Sequence, residues 1–310
     1  MGPWTSIILA AFLAILAFGY LLDYLNIRHQ ARSPGSIPGE FAPYVDVDVL
    51  ARAEGYAAEN ARFGAVASIY DNAILVGFVF GGGLVLYDRW IASLGLGFAA
   101  GGVVFFLLLL LGRAVLFVPF GLYRVFVIER RHGFCSMTPG LWVSDFLKST
   151  AISMVLASAA AYGGLLIVQA SPTLWWLWLW AFFLAASLLV MYISPRVIEP
   201  LFNRFTPVDD PALVEAASDL MARAGIRVAK VFKMDASRRT GHTNAYFAGL
   251  GRTKRIVLYD TILEKLDREE VLSVLAHEAG HWTGRHLVKR LAVMEAVSFA
   301  ALYAAFRLVG

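Results

Sequence analysis

Two histidines four residues apart, with a glutamate beside the first, are the residues whose spacing most directly suggests chemistry. They are His277, Glu278 and His281, in the run V-L-S-V-L-A-H-E-A-G-H-W. On an α-helix, positions i and i+4 share a face and lie about one turn apart. That spacing suits two imidazole nitrogens at roughly 2.0–2.1 Å from a single zinc ion. Glu278 adjoins the first ligand and could reach a metal-bound water. Zinc lowers the pKa of such a water towards about 7, so a carboxylate can take its proton at neutral pH and pass it to the leaving amine of a peptide. The reading is a zinc metallopeptidase, with Zn2+ as cofactor, His277 and His281 as ligands and Glu278 as general base. The bland alternative is a solvated surface helix that carries two histidines by coincidence. The apolar residues before His277 predict a buried site instead. Burying these three groups costs several kcal/mol unless a metal or partners compensate.

The remaining candidates are weaker. His286 lies five residues beyond His281 and is expected on the same helix, off the ligand face, as a supporting or interfacial group. His242 precedes a predicted strand and could contact substrate. His29 and His132 sit in basic loops and read as solvated or structural. Asp71 and Glu295 fall within predicted membrane spans, where an ionisable residue is a functional-site hypothesis by default, weighed against a structural pair. Cys135 is the single cysteine, so no intramolecular disulfide forms, and it reads as a small hydrophobe rather than a nucleophile.

The elements that must position these groups are membrane elements. Of 310 residues, 59% are hydrophobic and 16% charged, against roughly 25% charge in average soluble domains. A spanning helix needs about 20 mostly apolar residues. Trp4 to Leu22 is the first candidate, read as an anchor because it lacks a basic flank and a clear cleavage site. Asn72 to Tyr87 is the second, extended back to Gly64. Ile91 to Gly112 is the third, running on through Ala114 to Tyr123. Ser149 to Pro195 is uncharged and is broken at Ser171-Pro172 into a fourth and a fifth. Leu291 to Phe306 is the sixth. Basic residues orient the set, because cytoplasmic loops carry excess Lys and Arg. Arg28, Arg32, Arg52, Arg62, Arg113, Arg124, Arg130, Arg131 and Lys148 fall on one side in the shorter loops, and only Arg89 between spans two and three on the other. The N-terminus is therefore expected outside and the long polar segment from Arg196 to Arg290 inside. The Arg- and Ala-rich composition points to a bacterial inner membrane. The net charge of +4 is explained by this distribution, not by a nucleic-acid partner.

Residues 1–195 are thus expected to form a membrane domain of five spans. Residues 196–310 form a metallopeptidase domain with the sixth. Asp210-Pro211 begins a helix that Gly225 ends, with Leu213, Ala217, Leu220 and Ala224 as its apolar stripe. Lys230 to Met234, Ala245 to Leu250 and Arg255 to Tyr259 read as strands, the last two joined by a turn near Gly251. Asp267 and Glu270 form a capping box for the helix that carries His277. Ser33 to Pro43, rich in Pro and Gly, is a loop.

Several pieces together resemble the type I CAAX prenyl endopeptidases, polytopic zinc proteases with seven spans. They are E-R-R-H-G-F at Glu129 to Phe134, E-P-L-F-N-R-F-T-P at Glu199 to Pro207, T-N-A-Y-F at Thr243 to Phe247, K-R-I-V-L-Y-D-T-I-L at Lys254 to Leu263, and H-E-A-G-H-W followed by His286. The resemblance covers nearly the whole chain. It implies a mainly α fold: a polytopic transmembrane helical barrel with a small α+β zinc-protease insertion between spans five and six. It implies that Asn244 helps hold substrate backbone along a strand edge; Tyr246 and His286 are further substrate-binding candidates. It also implies a third zinc ligand, a Glu, beyond Gly310, so the 310 residues are expected to be C-terminally truncated and inactive as they stand. The expected partners are the lipid bilayer and a peptide or protein substrate, prenylated or membrane-associated. The alternatives are a heat-shock-type quality-control protease and a non-catalytic membrane protein, either a transporter or a pseudo-enzyme. Five spans before the motif disfavour the first. The absence of a visible inverted repeat disfavours a transporter.

Overall fold

The computed structural model describes residues 2–32, 46–226, 230–249 and 255–309. Among them, six helices are long and apolar enough to cross a membrane. The chain divides into two compact units. One comprises Met1–Leu96 and Arg113–Gly133, the other Gly97–Gly112 and Phe134–Gly310.

In the first unit, α1 (Pro3–Arg32) packs on α2 (Val47–Phe80). Tyr20, Ser68 and Asn72 join them by hydrogen bonds of 3.1 to 3.3 Å. The second span is placed differently from the sequence reading. It begins at Val47, capped by Asp46, and stops at Phe80 rather than reaching Tyr87. The cause is Gly81-Gly82, where Gly82 takes φ 89 and starts α3 (Gly83–Ser93) in a new direction. Ile91, expected at the head of the third span, is a buried residue of α3. The third span begins instead at Phe98. It runs through α4 (Phe98–Leu116), whose residues up to Gly112 belong to the second unit, then α5 (Val118–Tyr123) and a π-helical turn, Arg124–Glu129, so its apolar character does continue as expected. Asp71 is paired. Arg113 donates to its two carboxylate oxygens at 2.8 and 3.4 Å. Tyr56 donates to Glu129 at 2.7 Å, and His132 meets Glu59 at 2.8 Å.

In the second unit, α6 (Pro139–Ala170) and α7 (Trp175–Ile193) form an antiparallel pair. The break between them falls where Ser171-Pro172 predicted it, because proline cannot continue a helix and biases the residue before it to extended backbone. The sixth span is α12 (His286–Val309) and packs on α7 through an aromatic seam. There Trp176 lies edge-on to Phe299 and Tyr303 at 5.3 and 5.1 Å. Trp180 Nε1 donates to the Glu295 carbonyl at 3.2 Å. The Glu295 side chain is half-buried.

Beyond α7 a π-helical turn leads into α8 (Glu199–Phe202) and the small α+β part. Its sheet has the order β1-β2-β4-β3, with β1 (Phe205–Pro207), β2 (Lys230–Met234), β3 (Ala245–Ala248) and β4 (Arg255–Tyr259). β2 runs parallel to β4, and the outer strands pair antiparallel. Three of the four strands sit where β-branched and aromatic runs predicted them; β1 was not foreseen. The loop expected at Ser33 to Pro43 and the turn near Gly251 lie outside the described residues. One sheet face carries Val231, Ala245, Ile256 and Leu258. It packs against α9 (Pro211–Arg223), α10 (Asp260–Lys265) and α11 (Arg268–Thr283) in one core with Leu213, Met221, Ile262 and Leu275. The Asp210 side chain caps α9 by accepting from the Ala212 and Leu213 amides. The Leu213 amide in particular holds its carboxyl below the usual carboxylate range. In the expected stripe, Leu213 and Ala217 are buried, while Leu220 and Ala224 pack at the margin. The other sheet face carries Met234, Ala248 and Val257 with Phe205, Tyr246 and Tyr259.

Candidate active site

The site is built on α11. Asp267 accepts from the Glu270 amide and Glu270 from the Asp267 amide, each at 2.9 Å, which completes the predicted capping box. Val271, Leu275 and Ala279 recur every fourth residue and bury one face in the core. His277 lies two residues, or about 200°, from both Leu275 and Ala279. It therefore sits on the opposite face, as does His281. Both imidazoles are exposed and Glu278 is half-buried. This corrects the expectation of a buried trio: the apolar lead-in feeds the core face, and the histidines are its reverse.

On that face the two rings converge. His277 Nε2 and His281 Nε2 are 3.1 Å apart, with ring centroids at 4.8 Å and planes at 82°. Two nitrogens bound to one tetrahedral zinc at roughly 2.0–2.1 Å would be about 3.3 Å apart. The donor set and its spacing therefore fit a zinc ion. Among the described residues, no group of three His, Cys, Asp or Glu side chains is arranged to hold a metal. Two such nitrogens are fewer than the three protein ligands that a catalytic zinc site uses.

His286 is not on the same helix as His281. α11 stops at Thr283, and His286 is the first residue of α12. The break brings His286 Nδ1 to 2.8 Å from His281 Nδ1. The signal was present in T-G-R-H, since a glycine after a helical run is a frequent stop.

Asn244 does not lie in the strand. It immediately precedes β3, exposed, with its Oδ1 accepting from the Ala245 amide at 2.9 Å and its carbonyl from the Tyr259 amide at 3.0 Å. β3 is the end strand of the sheet and packs beside α11, with Phe247 5.9 Å from Trp282. Tyr246 points the other way. Its hydroxyl donates to Glu199 Oε2 at 3.0 Å. Burial first, and then the Glu199 carboxylate, push its pKa well above the ordinary tyrosine value. Arg255 completes this cluster, donating to Glu199 at 3.3 Å and to the Pro195 carbonyl, and stacking over Phe205. Glu199, from the E-P-L-F run, thus anchors the strand through Tyr246 and Arg255.

A cavity of about 1070 Å³ adjoins these groups within the same compact unit. Ala157, Ala186 and Phe182 of α6 and α7 form one wall, and Tyr246, Trp282 and Leu287 another. Its lining is mostly apolar, and Glu199 marks a polar end.

The other candidates have structural surroundings. His242 stacks on Phe134 at 4.0 Å, and its carbonyl accepts from Thr261. Cys135 forms a β-bridge with Thr240 and is half-buried. His29 is exposed, as expected of a solvated residue. His132 and Asp71 are held by Glu59 and Arg113, so Asp71 gives a transporter reading no support.

Six apolar helices and an H-E-x-x-H helix packed on a small sheet define a multi-pass integral membrane peptidase. Residues 26–204 match the family model described as CAAX prenyl protease N-terminal, five membrane helices, and residues 207–310 match peptidase family M48. The chain belongs to the CAAX prenyl protease branch of peptidase family M48. It is 33% identical to CAAX prenyl protease 1 homolog of Oryza sativa subsp. japonica over 94% of its own length and 71% of that protein's. It is 30% identical to CAAX prenyl protease 1 of Saccharomyces cerevisiae, covering 92% of this chain and 65% of the relative. The crystal structure of S. mikatae Ste24p superposes with a TM-score of 0.89 at 29% identity, over 98% of this chain and 73% of that one. The fold is accordingly mainly α and polytopic, with a small α+β part between the fifth and sixth spans.

Proposed function

We propose that the protein is a zinc endopeptidase that cleaves prenylated, CAAX-type, or other membrane-associated peptides. The observation that carries this reading is the convergence of His277 Nε2 and His281 Nε2 at 3.1 Å beside Glu278. A bound zinc supplies Lewis acidity to the scissile carbonyl and to water. His277 and His281 would hold it. The Glu278 carboxylate takes a proton from the attacking water and returns it to the leaving amine. The end strand β3 offers its outer edge to the substrate backbone, with Asn244 at the strand's entrance. Tyr246 and Trp282 line the cavity that would take an apolar substrate tail. For His286, the contact with His281 favours a supporting role over direct substrate binding.

The distribution of basic residues in the short loops supports an N-terminus outside and residues 196–290 on the cytoplasmic side. The Arg- and Ala-rich composition favours a bacterial inner membrane, whereas the relatives named above are eukaryotic.

Zinc content and cleavage of a prenylated peptide test the reading, in the intact protein and in Glu278→Gln. About one zinc per chain is expected in both forms, with cleavage slowed about 100-fold or more in the variant. Undiminished cleavage by Glu278→Gln, or no zinc in either form, would sink it.

A further inference from the structure

We infer that His286 is a positioning residue for His281, folded back onto it by the break between α11 and α12, and that it sets the metal affinity of the site. The inference rests on the reading of His277 and His281 as zinc ligands.

On a continuous helix, five residues advance about 500°, leaving His286 some 140° away from His281 around the axis. The chain does not continue. Gly284 ends α11, and Arg285 takes φ 53, the left-handed region that a non-glycine residue seldom adopts. Among the described residues Arg285 is the one non-glycine with positive φ. Backbone in that region persists where its surroundings over-determine it, and such positions cluster at functional sites. What it achieves here is specific. The His286 ring returns to His281, with Nδ1 to Nδ1 at 2.8 Å and centroids at 5.0 Å. The return passes directly over Gly284. A β-carbon there would stand 2.7 Å from His286 Nε2 and 3.0 Å from its Cδ2, closer than packed atoms allow. Three consecutive residues therefore cooperate: one with no side chain, one in a strained turn, and one whose ring meets the proposed ligand.

A metal bound at His281 would fix the tautomer of its ring. A metal held at His281 Nε2 needs the lone pair on that nitrogen, so the ring proton must sit on Nδ1. At 2.8 Å that Nδ1–H donates to His286 Nδ1, and the proton of His286 then resides on its own Nε2. The contact accommodates the metal-binding tautomer of His281 and orients its ring plane.

Zinc affinity of the intact protein, measured by chelator competition, tests the assignment. His286→Ala is expected to weaken zinc binding about 10- to 100-fold. His286→Asn, whose Oδ1 can occupy the place of Nδ1, is expected to recover most of the loss. Gly284→Ala, which leaves every ring intact, is expected to weaken binding by displacing His286. In the Co(II)-loaded protein, the ligand-field bands should shift in His286→Ala and stay near the wild-type positions in His286→Asn. Unchanged affinity in both His286→Ala and Gly284→Ala overturns the inference. So does an equal loss in His286→Ala and His286→Asn, since packing alone would then explain it. If the wild-type protein binds no zinc, the ligand reading itself fails, which is a separate and distinguishable outcome.

Discussion

The Tyr246 hydroxyl donates to Glu199 Oε2 at 3.0 Å and so ties β3 to the end of the fifth span. Burial, followed by the neighbouring carboxylate, raises the Tyr246 pKa in the folded protein. The unfolded value is about 10. A raised folded pKa contributes stability that is fully present below pH ~10 and is lost as pH rises through the folded value. Tyr246→Phe should therefore be less stable than the wild type at neutral pH, by about 0.5–1.5 kcal/mol for a neutral hydrogen bond and more for one to a carboxylate. The gap should narrow above pH ~10. Thermal midpoints in detergent across pH 7 to ~11 check this, and a gap that is constant with pH would contradict it.

Arg239 holds the small α+β part against α6. It donates to Asp145 at 2.7 and 3.0 Å through two nitrogens and to Asn203 at 3.2 Å. Both charged side chains are more than four-fifths buried. Removing one partner of a buried pair leaves an uncompensated charge, which costs about 3–5 kcal/mol. Arg239→Ala should lose stability in that range. Arg239→Lys should lose much of it too, because an ammonium cannot reproduce the two-pronged contact. Denaturant midpoints of the two variants measure both effects.

The parts of this fold legible in the sequence were those decided locally. The K-V-F-K-M and R-I-V-L-Y runs are β-branched and aromatic, and they form β2 and β4 where expected. Asp267 and Glu270 announce the start of α11 because the capping box is made within one turn. What escaped was set by partners far along the chain or by hidden continuity. β1 is three residues ending in proline, and only its pairing with β2 makes it a strand. The first turns of α2 carry Asp48, Arg52, Glu54 and Glu59, so a hydropathy window misses a helix that runs unbroken into a span. The H-E-x-x-H spacing was plain. Its exposure was not, because that depends on which face of α11 meets the sheet, and the face is told by Val271, Leu275 and Ala279 together.

Asp71 and Arg113 pair across α2 and α4 within helices long enough to span a bilayer. In water, so exposed a pair would be worth about 0–1 kcal/mol. At the centre of a span, an unpaired charge costs about 2.5–3.5 kcal/mol on insertion scales. Asp71→Ala and Arg113→Ala should each destabilise the protein more than the double variant does, since the double variant leaves no orphan charge. Stabilities of all three variants in lipid bilayers, set against the same series in water-rich detergent, separate the two regimes. Additive losses in the bilayer would show that the pair is solvated.

The end strand β3 gives the last prediction. Its residues pair with β4 in the register Ala245 to Leu258, Tyr246 to Val257, Phe247 to Ile256 and Ala248 to Arg255, and among the described residues no strand pairs with the opposite edge. Along an added strand, only alternate residues direct their N–H and C=O groups to the partner strand. A substrate bound this way should therefore read backbone methylation with a period of two. A series of peptide substrates, each N-methylated at one position around the scissile bond, should show KM raised at every second position and little changed between. Each lost hydrogen bond of about 0.5–1.5 kcal/mol corresponds to roughly a 2- to 13-fold rise in KM. Backbone recognition by β3 would be refuted by a series with no such alternation, even if cleavage itself persists.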